Sequence, residues 1–190
     1  MILLISLRDN GKDPHIKSQL CLAFICIDTY SRFYKIFQGE RNFKELDKNN
    51  KIRFKIWLDK FVFVSENKIY RENKKEMNCD ASIVWELRNS FIHFYSFPRP
   101  KVGRNRIGFV FNFSKQKHNK IKEGLKKKGY KVTFIDIYIL IKAILEGIIL
   151  QYKYFADLLK NEPGKYIDGV EFTHDILKEE NGITIEVNNR

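Results

Sequence analysis

The chain has 190 residues, of which 44% are hydrophobic and 14% aromatic, and a formal net charge of +12 at pH 7. This composition excludes an intrinsically disordered chain and suffices for one domain with its own core. The excess of Lys and Arg favours anionic partners, nucleic acid first, although lysine is also an ordinary surface residue.

Neither of the two most apolar stretches predicts a secretory or membrane segment. The start, MILLISLRDN, has no basic leader and is stopped by Arg8 and Asp9, so we do not expect a signal peptide. The stretch 134–150 contains three charged residues, whereas a spanning helix needs about 18 residues nearly free of charge. The three cysteines and the isolated histidines lack disulfide or metal spacing. We expect a cytoplasmic protein without metal, cofactor or membrane contact.

Helical periodicity dominates the first half of the chain. Asp13 and Pro14 predict a helix start, and the helical pattern continues to Gly39. A second helix is predicted over 52–64, and the polar run 65–78 predicts a connection. A third helix follows and must end before proline 98, because a residue that precedes proline avoids the α conformation.

The period changes in the second half. Alternating apolar residues over 107–113 predict a strand, and 130–134 is its candidate partner, so we predict a β-hairpin insertion at about 98–134. A last long helix, capped by Asp136, is predicted to reach about Lys160. It is apolar around most of its circumference, which in a small bundle often means that a second copy covers it; we therefore predict a homodimer.

The apolar third helix carries an arginine, a histidine and a tyrosine in the stretch WELRNSFIHFYSFPRP. On a helical wheel Arg88 and Tyr95 border the apolar seam, whereas Asn89 and His93 share another face. Chance supplies roughly 0.2 Arg–His pairs at this spacing in such a chain, and roughly 0.01 once the tyrosine is included. The full pattern is therefore informative.

The spacing of Arg88, His93 and Tyr95 resembles the R-x4-H-x-Y signature of HEPN-domain proteins, in particular HEPN toxins encoded beside a minimal nucleotidyltransferase antitoxin. The resemblance implies a mainly α fold, an antiparallel four-helix up-and-down bundle. The bundle would cover about 14–160 of a single domain, 1–190. The hairpin insertion and the C-terminal extension from residue 161, for which we predict at most a short strand near 182–187, are additions to that bundle.

The resemblance further implies metal-independent cleavage of RNA in a cleft formed across a dimer. RNA carries its own nucleophile, the ribose 2′-hydroxyl, so the enzyme must move protons and stabilise charge on the phosphoryl oxygens. His93 would act as base or acid near neutral pH, and the planar guanidinium of Arg88 would bind the phosphate. Asn89 would orient the histidine or the phosphate. Tyr95 would be the site where the partner nucleotidyltransferase attaches AMP, and its alternative is a packing tyrosine.

Basic residues beyond the motif are candidates for binding the RNA backbone, and the alternative is solvated surface. They are Arg99, Lys101, Arg104 and Arg106, followed by the lysine-rich run 115–131. Two other functions stay open. The chain could be a non-catalytic HEPN-like module for RNA binding or dimeric regulation, or a basic scaffold that binds DNA, although no helix-turn-helix spacing is present.

Overall fold

Helices form most of the fold in the computed structural model, which describes residues 16–77, 79–94, 101–102, 105–110, 123–124, 127 and 131–181. The helices are α1 (Ile16–Phe37), α2 (Phe43–Lys48), α3 (Asn50–Phe61), α4 (Lys68–Glu72), α5 (Lys74–Met77), α6 (Ala81–Phe94), α7 (Ile137–Asn161) and α8 (Pro163–Asn181). The strands are β1 (Lys101–Val102), β2 (Asn105–Val110) and β3 (Lys131–Asp136).

The four predicted long helices correspond to α1, α3, α6 and α7, and they pack together as a helical bundle. The end of α1 is marked by Gly39, whose φ of 105° suits glycine. The start of α7 confirms the predicted cap, because the Asp136 carboxylate accepts a hydrogen bond from the Ile139 amide at 3.1 Å. The bundle core is built from fully buried side chains such as Phe24, Trp57 and Ile144.

A buried glutamine joins three of these helices through polar contacts. Gln151 on α7 accepts a hydrogen bond from the Trp57 indole of α3 at 2.5 Å and donates one to the Tyr30 carbonyl of α1 at 3.0 Å. Since an unsatisfied amide in this fully buried position would cost about 1–3 kcal/mol, these bonds fix how the helices sit against each other.

The C-terminal extension is helical, so the prediction of at most a short strand after residue 161 was wrong for 163–181. Pro163 occupies the first helical position, where its missing N–H costs nothing. Gly169 lets α8 approach α1, since a Cβ there would lie 2.8 Å from the Phe37 ring. Ile176 is buried in a second apolar cluster with Phe37 and its neighbours. Residues 182–187 lie outside the described part of the chain.

The predicted β-hairpin is also corrected. β2 and β3, which cover the two predicted strand segments in part, pair in parallel, with Asn105 opposite Lys131 and Val110 opposite Asp136. Parallel strands need a connection of about a dozen residues or more, and 20 residues separate these two strands. The antiparallel pair is β1 with β2. The alternation at 107–113 therefore indicated a strand but not its direction.

Among the described residues, no helix has the length and apolar character that crossing a bilayer requires. The three cysteines are free and partly buried, and they pack against the bundle core, as expected for packing residues. Burial is the main cause that raises the pKa of the Cys79 thiol to about 12, so this thiol stays protonated at neutral pH.

Candidate functional site: an arginine cluster beside α1

Arg88 of α6 forms an ion pair with Asp28 of α1. Its Nη2 and Nε both donate to Asp28 Oδ2, at 2.6 and 3.2 Å. The two side chains are 14% and 22% exposed, so the pair is shielded from much of the solvent and from salt. The motif arginine is therefore held at the junction of two long helices.

Two further contacts restrain the Arg88 guanidinium. Nη1 donates to Asn89 Oδ1 at 3.1 Å, and the guanidinium carbon lies 5.1 Å from the Trp85 ring centroid. A guanidinium has five N–H groups, and the hydrogen bonds among the described residues engage three of them. One N–H on each terminal nitrogen remains, which is the arrangement that suits two oxygens of a phosphate.

Asp28 depends on this arginine, because the other carboxylate oxygen, Oδ1, is buried and has no hydrogen-bond partner within the described residues. A carboxylate removed from water without a cationic partner is costly. Loss of the Arg88 charge would leave Asp28 without its ion-pair partner, so a substitution that removes this charge changes stability as well as chemistry.

A cavity of about 390 Å³ opens beside Asp28, between α1, the α2–α3 region and α8. Its polar lining includes two arginines, Arg32 and Arg53, and a second aspartate, Asp47. Arg32 pairs with Asp47 at 2.5 Å. Apolar side chains from α1 and α8 complete the wall, among them Phe33 and Ile176. The cavity is thus polar on one side and apolar on the other.

Arg53 is the most buried cation of the cluster, at 4% exposure. It donates to the Ser31 hydroxyl at 3.2 Å, to the Asn50 amide oxygen at 3.1 Å and to the Leu46 carbonyl. All three acceptors are neutral. Burial is the largest cause that lowers the pKa of Arg53, and the nearby cations Arg32 and Arg88 act in the same direction. The carboxylates of Asp28 and Asp47 oppose this shift without cancelling it.

The structure brings together two of the predicted site residues, Arg88 and Asn89, which the helical wheel had assigned to different faces. The Arg88 side chain is long enough to reach from its own face of the helix to the Asn89 amide oxygen. His93 is a backbone position near the end of α6, and its side chain lies outside the described part of the structure. Lys101 and Arg106 are opposite one another in the β1–β2 register. Predicted residues outside the described ranges are Tyr95, Arg99 and Arg104.

Sequence reasoning missed Asp28 and Arg53. Asp28 belongs to a stripe of polar residues on α1, a pattern typical of a solvated face, and its partner lies 60 residues away. The available signal for Arg53 was its position between apolar residues of the second helix, in KIRFKIW. An arginine there must either reach the surface or find acceptors inside.

Comparison of the chain with protein-family models, with curated proteins and with solved structures gave no match. Within the described ranges, no group of three or more His, Cys, Asp or Glu residues is arranged to hold a metal ion. The chemistry of the site therefore has to be inferred from the arginines, their partners and the motif on α6.

Proposed function

We propose that the chain is an endoribonuclease of the HEPN type that acts as a dimer, in the manner of toxins or phage-defence effectors. The observation that carries the proposal is the restrained guanidinium of Arg88, five residues before His93 on one helix. A donor fixed before substrate arrives stabilises charge that develops on a phosphoryl group without reorganisation.

His93 and Arg88 divide the reaction between them. One imidazole removes the proton from the ribose 2′-hydroxyl, whose oxygen attacks the adjacent phosphorus. The bond from phosphorus to the 5′-oxygen breaks, and a second, protonated imidazole gives its proton to that oxygen. Arg88 binds the non-bridging phosphoryl oxygens with its two remaining N–H groups. The products are a 2′,3′-cyclic phosphate and a 5′-hydroxyl, and no step requires a cofactor.

Helical geometry supports a site shared between two copies. Positions five residues apart on an α-helix differ by about 140° around the axis and about 7.5 Å along it. One copy therefore directs residues 88 and 93 to different sides, whereas two facing helices can supply both groups to one phosphodiester.

Cleavage of mixed single-stranded RNA in EDTA tests the proposal. Removing one preorganised donor typically lowers the rate 100- to 1,000-fold. Arg88→Lys keeps a positive charge beside Asp28 but loses the planar fork, so we expect a folded variant with about a 100-fold lower rate. His93→Ala should lose at least as much. Arg71→Lys, at an exposed position on α4, is the matched control and should cleave like the wild type.

The Arg88–Asp28 ion pair also favours a second candidate, a non-catalytic HEPN-like module in which Arg88 holds α6 to α1. That function predicts RNA binding by the wild type without cleavage, and unchanged binding by His93→Ala. AMP attachment to Tyr95 by a nucleotidyltransferase antitoxin belongs to either candidate. It is tested separately, by mass spectrometry of the chain after incubation with that partner and ATP.

A further inference from the structure

The charges that line the cavity beside α8 are two arginines, Arg32 and Arg53, and two aspartates. Arg88 does not line the cavity, but its charge acts on Arg53 and brings the cluster to three cations and two anions. Asp28 pairs with Arg88 and Asp47 pairs with Arg32, so their charges offset each other. Arg53 is the most deeply buried of the three. Among the described residues no carboxylate forms an ion pair with it, and those of Asp28 and Asp47 act on it only through space.

A buried guanidinium without a carboxylate partner is a costly arrangement unless an anion completes it. The three neutral acceptors of Arg53 engage one N–H on each of its nitrogens. One N–H on Nη1 and one on Nη2 are left among the described residues, and Arg53 lines the cavity. Two such donors match the two oxygens of a phosphate or carboxylate group.

We propose that this cavity binds a small oxyanion ligand, with a phosphate or carboxylate group on Arg53 and a short apolar body against Phe33 and Ile176. The cavity volume of about 390 Å³ lies in the usual range for small-molecule sites. The site shares Asp28 with the Arg88 region but needs neither Arg88 nor His93. The inference therefore stands independently of RNA cleavage, and α8, which closes the cavity, lies outside the bundle that the motif predicts.

Isothermal titration of the full chain with phenyl phosphate, benzoate and benzyl alcohol tests the proposal. We expect one of the two anions, or both, to bind at micromolar to low millimolar concentration, and benzyl alcohol to bind at least about tenfold more weakly. Arg53→Met should weaken anion binding about tenfold or more. Arg71→Met removes the same charge from an exposed helix and should bind like the wild type.

A second variant keeps the test informative if Arg53→Met fails to fold. Thr29 is exposed on α1 and lines the cavity. Thr29→Trp therefore fills space in the cavity and leaves the N–H groups of Arg53 unchanged. It should weaken binding of phenyl phosphate while leaving the urea unfolding curve close to that of the wild type. The inference is wrong if folded wild-type protein takes up neither anion at millimolar concentration, if benzyl alcohol binds as well as the anions, or if both variants bind the anions unchanged.

Discussion

Arg88 and Arg53 both bring a guanidinium to the same side of α1, but their partners differ. Arg88 donates twice to a carboxylate, and its side chain keeps 14% of its exposure. Arg53 is more buried and donates only to neutral oxygens within the described residues. The degree of burial alone therefore does not determine what an arginine does in this fold. The charge of Arg88 is offset by the Asp28 carboxylate to which it donates. The charge of Arg53 has no ion-pair partner among the described residues and is therefore the one that a bound anion would neutralise.

Breaking the Arg88–Asp28 ion pair should change the free energy of unfolding most. Arg88→Met should lower the free energy of unfolding by about 2–3 kcal/mol, because it leaves the Asp28 carboxylate without its ion-pair partner. In an Asp28→Asn background the same substitution should cost only about 1 kcal/mol, since no buried charge remains. Urea unfolding of the four proteins measures both values, and equal costs in the two backgrounds would contradict a carboxylate-dependent role.

Substitution of Arg53, whose hydrogen-bond acceptors are neutral, should depend less on Asp28. Arg53→Met leaves the Ser31 hydroxyl, the Asn50 amide oxygen and the Leu46 carbonyl without the hydrogen bonds that Arg53 donates. We expect the free energy of unfolding to fall by about 2 kcal/mol in the absence of ligand. Asp28→Asn should reduce this loss much less than it reduces the loss from Arg88→Met, because the Asp28 carboxylate acts on Arg53 only through space and not through a hydrogen bond. Arg71→Met should stay within about 0.5 kcal/mol of the wild type. The distinction between the two arginines fails if Asp28→Asn reduces both losses to the same extent.

The contact of α8 with α1 can be loosened without touching either arginine. Ile176→Val deletes one methyl group from the second apolar cluster and should cost about 1 kcal/mol. Ile167→Val makes the same change at a position of α8 that is 51% exposed, so its effect should stay below about 0.5 kcal/mol. Chemical denaturation distinguishes the two, and similar costs would mean that α8 does not pack as described.

Breaking the exposed Arg32–Asp47 ion pair should change the free energy of unfolding least. Asp47→Asn breaks the contact with Arg32, whose side chain is 28% exposed while that of Asp47 is 48% exposed. We expect a loss of about 0.5 kcal/mol at low salt that disappears in about 1 M NaCl, where charges are screened within about 3 Å. The loss from Arg88→Met should change less with salt, because that pair is more shielded. An equal salt dependence of the two losses would contradict the greater burial of the Arg88–Asp28 pair.

The local parts of this structure could be predicted from the sequence, and the long-range parts could not. Periodicity identified the four long helices, and Asp136 was recognised as a cap because its partner, the Ile139 amide, lies three residues away. The α8 helix was not predicted because proline and glycine usually interrupt helices. Here Pro163 starts the helix and Gly169 allows close packing on Phe37.

The candidate site shows the same limit. Arg88 was found through a short motif on one helix, but Asp28 and Arg53 acquire their roles from contacts between helices. Single-sequence reasoning cannot see those contacts, since a polar residue on α1 looks the same whether it faces water or an arginine from α6. The same holds for Gln151, whose two buried hydrogen bonds reach α1 and α3.

RNA cleavage with identified product ends tests the central claim most directly. The wild-type chain is incubated in EDTA with a single-stranded RNA and with the same sequence carrying 2′-deoxyribose throughout. We predict RNA fragments that end in 2′,3′-cyclic phosphate, no cleavage of the deoxy strand, and loss of the fragments in His93→Ala with an unchanged unfolding curve. Intact RNA with the folded wild type, or equal cleavage of both strands, would contradict a 2′-hydroxyl mechanism at Arg88 and His93.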